Sequence, residues 1–237
     1  MIRAVLFDWG DTLMEFTFDE ELLEASHRAG LEAIGRGDLR ITEHLRERFE
    51  PLVALPGTLD EVEYPGFVRG ILRDFGVEVS DEELNRFLEA EHAAWAPARR
   101  LAATTHALLE ALRARGIKLG LVSNAFDPGW LLHRDLDEMG VGERLDFAVF
   151  SSELGKRKPH PDIFRRALDA LEVAPEHAVF VGDRLFEDVR GAGELGMRTV
   201  QALWFRADEH PDGREPDFQA FTQMDVLNVA RRLLGER

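Results

Sequence analysis

Apolar residues change their spacing along this chain, and the changes mark its elements. The first run, Ala4-Val5-Leu6-Phe7, is continuous and stops at Asp8. A short unbroken apolar run fits a strand covered on both faces. From about residue 101 helix-like and strand-like patterns alternate. Thr104 or Thr105 can cap a helix carrying Leu108, Leu109 and Leu112, and Gly116 ends it. Ile117 to Val122 reads as a strand. Asp127-Pro128 predicts an N-cap with proline in the first turn, opening a helix that ends near Gly140. Phe147 to Phe150 reads as a strand. Pro161 to Leu171 has Ile163, Ala167 and Leu171 at helical spacing. Ala178 to Val181 is a strand, and the run after Phe186 is helical. Thr199 to Leu203 and Phe218 to Phe221 complete the strands, and a last helix carries Val226, Val229 and Leu233.

Such alternation predicts an α/β fold: a doubly wound, mostly parallel, Rossmann-like sheet with helices on both faces. One connection is far too long. A crossover needs roughly 10 to 12 residues, and about a hundred separate Asp8 from Ile117. Within that stretch Leu22, Ala25, Ala29 and Ala33 share one helix face, and Leu84, Phe87 and Leu88 follow a plausible Ser80 cap. The expected division is a core of residues 1–14 and 100–237, with a small all-helical cap over 15–99.

Composition narrows the class. Apolar residues make up 45%, enough for a real core. The absence of cysteine excludes disulfides and thiolate metal sites, and suits the reducing cytoplasm. The N-terminal apolar run is stopped by Asp8, so it is no signal peptide, and no run is long enough to span a membrane. A net charge of −16 repels nucleic acid and anionic membranes, so neither is an expected partner. A phosphate ester would also be repelled unless metal and lysine reverse the potential locally. Lysine occurs only at Lys118, Lys156 and Lys158.

In a parallel sheet the strand C-termini share one edge, where ligands bind. That rule selects Asp8, Ser123-Asn124, Lys158 and Asp183. Asp8 could attack as a nucleophile or simply cap a turn. Asp183 and Asp188, in Gly182-Asp183-Arg184-Leu185-Phe186-Glu187-Asp188, could join Asp8 as oxygen ligands of Mg²⁺, or could be ordinary helix-start carboxylates. Glu187 competes with Asp188, which the spacing favours. The Ser123 hydroxyl and the adjoining main-chain amides could hold phosphate oxygens, or form a common turn. Lys158, in Lys156-Arg157-Lys158-Pro159, could neutralise Asp8 and a phosphoryl group, or belong to a solvated basic cluster.

Taken together these four segments, in this order, resemble the haloacid-dehalogenase superfamily over residues 1–14 and about 100–221. The resemblance implies a Mg²⁺-dependent phosphatase acting on a small phosphorylated substrate. Asp8 would be the nucleophile, and Lys158, with Ser123 and Asn124, would hold the phosphoryl group. Asp8, Asp183, Asp188 and the Gly10 carbonyl would hold the metal. One position departs from the pattern. Family phosphatases carry a second aspartate two residues after the first, as acid and base. Here that residue is Gly10, and Asp11 comes one step late. Side chains alternate on an extended segment, so the late carboxylate tends to point away. Asp11 is a candidate acid–base group or a turn cap.

Two other readings follow from Gly10. The haloacid dehalogenases use an aspartate nucleophile without metal, and arginines such as Arg28, Arg36, Arg40, Arg46, Arg48, Arg69, Arg73 and Arg86 could hold a carboxylate. A catalytically impaired binding protein is the other. The phosphonate-cleaving branch needs a cap lysine, and none lies between Asp8 and Lys118. His27, Tyr64, His92 and Trp95 are candidate substrate contacts in the cap, with packing the simpler role for His92 and Trp95.

Overall fold

A computed structural model describes residues 1–54 and 59–236. Six parallel strands form the central sheet, in the order β5-β4-β1-β6-β7-β8. Their ranges are β1 Ala4–Phe7, β4 Lys118–Ser123, β5 Phe147–Phe150, β6 Ala178–Gly182, β7 Arg198–Ala202 and β8 Phe218–Ala220. A separate antiparallel ribbon pairs β2 Met14–Phe16 with β3 Arg99–Leu101.

β1 shows why the opening run lacks alternation. Val5 and Phe7 enter a core with Leu108, Leu109 and Leu112 of α5 (Thr105–Arg113) and Val226 of α10 (Gln223–Leu234). Ala4 and Leu6 enter a second core with Ile163, Phe164 and Leu168 of α8 (Pro161–Leu171). Both faces are covered, so every position must be apolar. The short helices α7 (Ser151–Leu154) and α9 (Gly191–Glu194) follow β5 and β6. α6 (Gly129–Glu138) follows β4, but Asp127 does not cap it. Pro128 is the cap residue, and the Asp127 carboxylate pairs with His92 instead, 3.1 Å away.

The inserted helices are α1 Glu20–Ala33, α2 Thr42–Ala54, α3 Tyr64–Asp74 and α4 Asp81–Ala94. Ser80 and Glu83 cap α4 reciprocally. The buried face of α1 differs from the expected one. Ser26, His27, Gly30 and Leu31 turn inward, while Leu22, Ala25, Ala29 and Ala33 are only half-buried. The reason is close approach to α4: a β-carbon on Gly30 would lie 2.8 Å from the Phe87 ring. The two inward polar residues have internal partners. Ser26 donates to the Leu23 carbonyl at 2.8 Å, and His27 Nδ1 meets Thr42 Oγ1 at 2.9 Å.

The cap cluster of Leu45, Val68, Ile71, Phe87 and Leu88 also receives Leu131 from α6. Beside it, His92 Nε2 lies 2.9 Å from Asp135, and Arg99 pairs with the same carboxylate. Burial alone would lower the His92 pKa, but hydrogen bonds to Asp127 and Asp135 outweigh it and raise it. No described helix is long and apolar enough to cross a membrane.

Candidate active site

β1 lies between β4 and β6, where the chain's winding reverses, and its C-terminal end is the sheet's ligand edge. Asp8 follows β1 directly, its amide bonded to Val181 O at 2.9 Å. Lys158 Nζ donates to Asp8 Oδ1 at 2.7 Å and to Asp188 Oδ1 at 2.6 Å. The ammonium is 2% exposed, so this is no solvated cluster. Burial alone would lower the Lys158 pKa. The charges of Asp188 and Asp8 outweigh it and raise the pKa above its ordinary value.

Asn124 fixes the main chain that carries this lysine. Its amide oxygen accepts from Lys158 N at 2.7 Å, and its amide nitrogen donates to Lys158 O at 3.2 Å. With the side chain committed there, any Asn124 contact to a phosphoryl group falls to its main chain. Ser123 ends β4 and is buried at the same edge.

Asp188 reaches the cluster through a wide π-type turn over Leu185–Arg190. Its Oδ2 accepts from Arg184 N at 2.9 Å. A β-carbon on Gly182 would lie 2.4 Å from the Asp188 carboxyl, so only glycine lets the carboxylate pack against the strand end. Glu187 points to a half-buried surface position.

Asp8, Asp183 and Asp188 each bring one oxygen to a common centre, within 4.8 Å of one another, and all three are buried. Burial and the charge of Asp8 push Asp183 above the ordinary carboxylate range, with Arg206 and Arg184 opposing. Burial also pushes Asp188 up against the pull of Lys158, and Asp8 and Asp183 add repulsion. Buried oxygens that repel one another are a donor set that a hard divalent cation relieves. The three residues could hold such an ion.

Asp11 does not join this cluster of carboxylates. It adopts a left-handed conformation, φ 55°, that aspartate tolerates better than most residues. Its Oδ1 accepts from Phe16 N at 3.2 Å and closes the turn into β2. Its Oδ2 faces Arg206 Nη1 at 3.5 Å. Gly10, by contrast, borders open space, with no atom within 4 Å of where a β-carbon would stand.

Arg206 is a site residue that the sequence reading passed over. It donates from Nε to Asp183 Oδ2 at 2.6 Å. The signal was available in the sheet-edge rule, because Arg206 lies just beyond the C-terminal end of β7. In the cap, Tyr64 donates to buried Glu91 at 2.6 Å, and His27 Nε2 lies 3.4 Å from the same carboxylate. Trp95 packs against Phe16 and Phe18, with ring centres 5.6 and 5.8 Å away.

The chain is similar to known proteins in sequence and fold. A family model described as haloacid dehalogenase-like hydrolase matches residues 2–196. A glyceraldehyde 3-phosphate phosphatase from Methanopyrus kandleri is 32% identical, over 98% of this chain and 99% of that one. A crystal structure of a HAD phosphatase from Thermococcus onnurineus is 25% identical and covers all of both chains, with a TM-score of 0.64. A 2-haloacid dehalogenase from Pseudomonas syringae superposes with a TM-score of 0.74 at 24% identity, over 98% of this chain and 100% of that one, a likeness of fold alone. The chain belongs to the haloacid dehalogenase-like hydrolase family.

Proposed function

We propose that the protein is a Mg²⁺-dependent phosphatase that cleaves small phosphorylated metabolites through an aspartyl phosphate on Asp8. The observation that carries this reading is the trio Asp8, Asp183 and Asp188 around one centre, with Lys158 bonded to two of its members. Lys158 holds Oδ1 of Asp8, which leaves Oδ2 to attack phosphorus. Ser123 and the Asn124 main chain take the phosphoryl oxygens. Asp8, Asp183, Asp188 and the Gly10 carbonyl are the proposed ligands. When bound, Mg²⁺ supplies positive charge against the phosphoryl oxygens. Retention of both Asp183 and Asp188 favours this reading over metal-free dehalogenation.

Acid–base help at the leaving oxygen contributes ~10²–10⁴-fold, and Gly10 has no side chain to supply it. The Asp11 carboxylate is engaged by the β2 turn and by Arg206, so the reading leaves it outside that role. Acyl and aryl phosphates should therefore turn over faster than sugar phosphates. Similarity to the Methanopyrus enzyme makes glyceraldehyde 3-phosphate the first metabolite to assay.

The test is a panel of acetyl phosphate, p-nitrophenyl phosphate, glyceraldehyde 3-phosphate and 2-chloropropionate, with and without Mg²⁺. Phosphate release that requires the metal and disappears in Asp8→Asn is expected. Halide release without metal would establish the dehalogenase reading instead. Equal kcat on the aryl and the sugar ester would overturn the leaving-group preference.

A further inference from the structure

We propose that Arg206 contacts the leaving oxygen and stabilises its developing charge, in place of the absent carboxylic acid at position 10. The inference rests on the phosphatase reading and concerns how that reaction handles poor leaving groups.

Three observations place the guanidinium. First, it bridges a carboxylate of the cluster and the turn after Asp8, bonded to Asp183 at 2.6 Å and facing Asp11 at 3.5 Å. Lys158 holds Asp8 through Oδ1 together with Asp188, so the two cations serve different carboxylates. Second, the space beside Gly10, where the family's second carboxylate would project, contains no atom within 4 Å of an added β-carbon. The proposed position of the leaving group is that space, one residue from Asp11, which faces Arg206. Third, the arginine is held on both sides. Trp204 donates from Nε1 to Thr12 O at 2.9 Å, tying the loop to the turn after Asp8. Beyond it, Asp208 accepts from Leu185 N at 2.8 Å, and its carbonyl accepts from Gln201 at 3.1 Å. Such anchoring is what a preorganised charge requires. Arg206 keeps 36% of its side chain exposed, enough to meet a substrate.

In the step, the bond from Asp8 Oδ2 to phosphorus forms as the ester P–O bond breaks. The bonding pair stays on the leaving oxygen, whose charge the Arg206 N–H groups meet. Water supplies the proton that completes the alcohol. No protein acid takes part, and with Nε held by Asp183 the outer guanidinium nitrogens meet the oxyanion.

The experiment is a series of phosphate monoesters, from p-nitrophenyl phosphate to alkyl esters, assayed with Mg²⁺ in the unaltered protein, Arg206→Met and Arg206→Lys. Losing a preorganised donor costs about 10²-fold in kcat. Arg206→Met should lose about that factor on alkyl esters and less than about tenfold on p-nitrophenyl phosphate. The dependence of rate on leaving-group pKa therefore steepens, and Arg206→Lys recovers part of the alkyl activity. A uniform loss across the series would assign Arg206 only to holding Asp183, and no loss at all would also overturn the proposal. Retained Mg²⁺-dependent hydrolysis of p-nitrophenyl phosphate shows that the underlying phosphatase reading stands in either case. If the unaltered protein hydrolyses none of the esters, both fall.

Discussion

At position 10 the chain lacks a side chain where its proposed chemistry has use for one, and the site has room to accept it. Gly10→Asp adds a carboxyl into open space. It should raise kcat on alkyl phosphates by ~10²-fold or more and change p-nitrophenyl phosphate turnover much less. Unchanged alkyl rates would show that proton transfer does not limit the reaction. The sequence made much of this site readable because Asp8, Ser123, Lys158 and Asp183 each sit at or just after a strand end, in short local motifs. Two things were not local. Spacing favours Asp188 over Glu187, but the physical ground for that choice is a π-type turn that no periodicity announces. Arg206 lies past a strand end, where the sheet-edge rule points, but its bond to Asp183 is made across the fold and is not written in its local sequence.

At the level of elements, the helices and strands of the core match their apolar spacing closely, because α8 and β1 meet their neighbours with the residues that periodicity selects. The cap helix α1 does not follow that rule. Its buried face carries Ser26, His27 and Gly30, and a hydrophobic reading chooses the alanines instead. Burial there is decided by how near two helix backbones lie, which sequence alone does not reveal. Gly30→Val tests this. The Phe87 ring, 2.8 Å from the added β-carbon, is fully buried and cannot swing aside. The substitution should destabilise the protein by about 1–3 kcal/mol in denaturant unfolding. An unchanged midpoint would mean the two helices can separate without cost.

Across the whole molecule, cap and core are joined by buried charge as well as by apolar contact. His92 bridges α4 to Asp127 and Asp135, and Leu59 and Glu61 bond main chain to main chain with Arg157 and Gly155, just before Lys158. These main-chain bonds tie residues 59–61 to the loop that carries Lys158. The cap interior also holds Glu91, whose pKa burial pushes up to about 8, with the Tyr64 hydrogen bond opposing. A carboxyl with a raised folded-state pKa adds stability that is full below its unfolded value and is lost as pH rises through about 8. Nearby His27 behaves oppositely. Burial, then Arg46, lowers its pKa to about 4, so its contribution is lost on acidification. Glu91→Gln keeps an acceptor for Tyr64 and leaves His27 in place. Relative to the unaltered protein, its stability should rise by about 2–4 kcal/mol between pH 5 and pH 9. A constant difference would show that Glu91 titrates normally.

The central claim is the covalent step on Asp8. The most direct measurement is mass spectrometry of peptides from the protein, acid-quenched during turnover of acetyl phosphate with Mg²⁺. The account predicts one added phosphoryl group on the peptide containing Asp8, absent without Mg²⁺ and absent in Asp8→Asn. Steady phosphate release in the unaltered protein with no modified peptide, or modification at another residue, would contradict it.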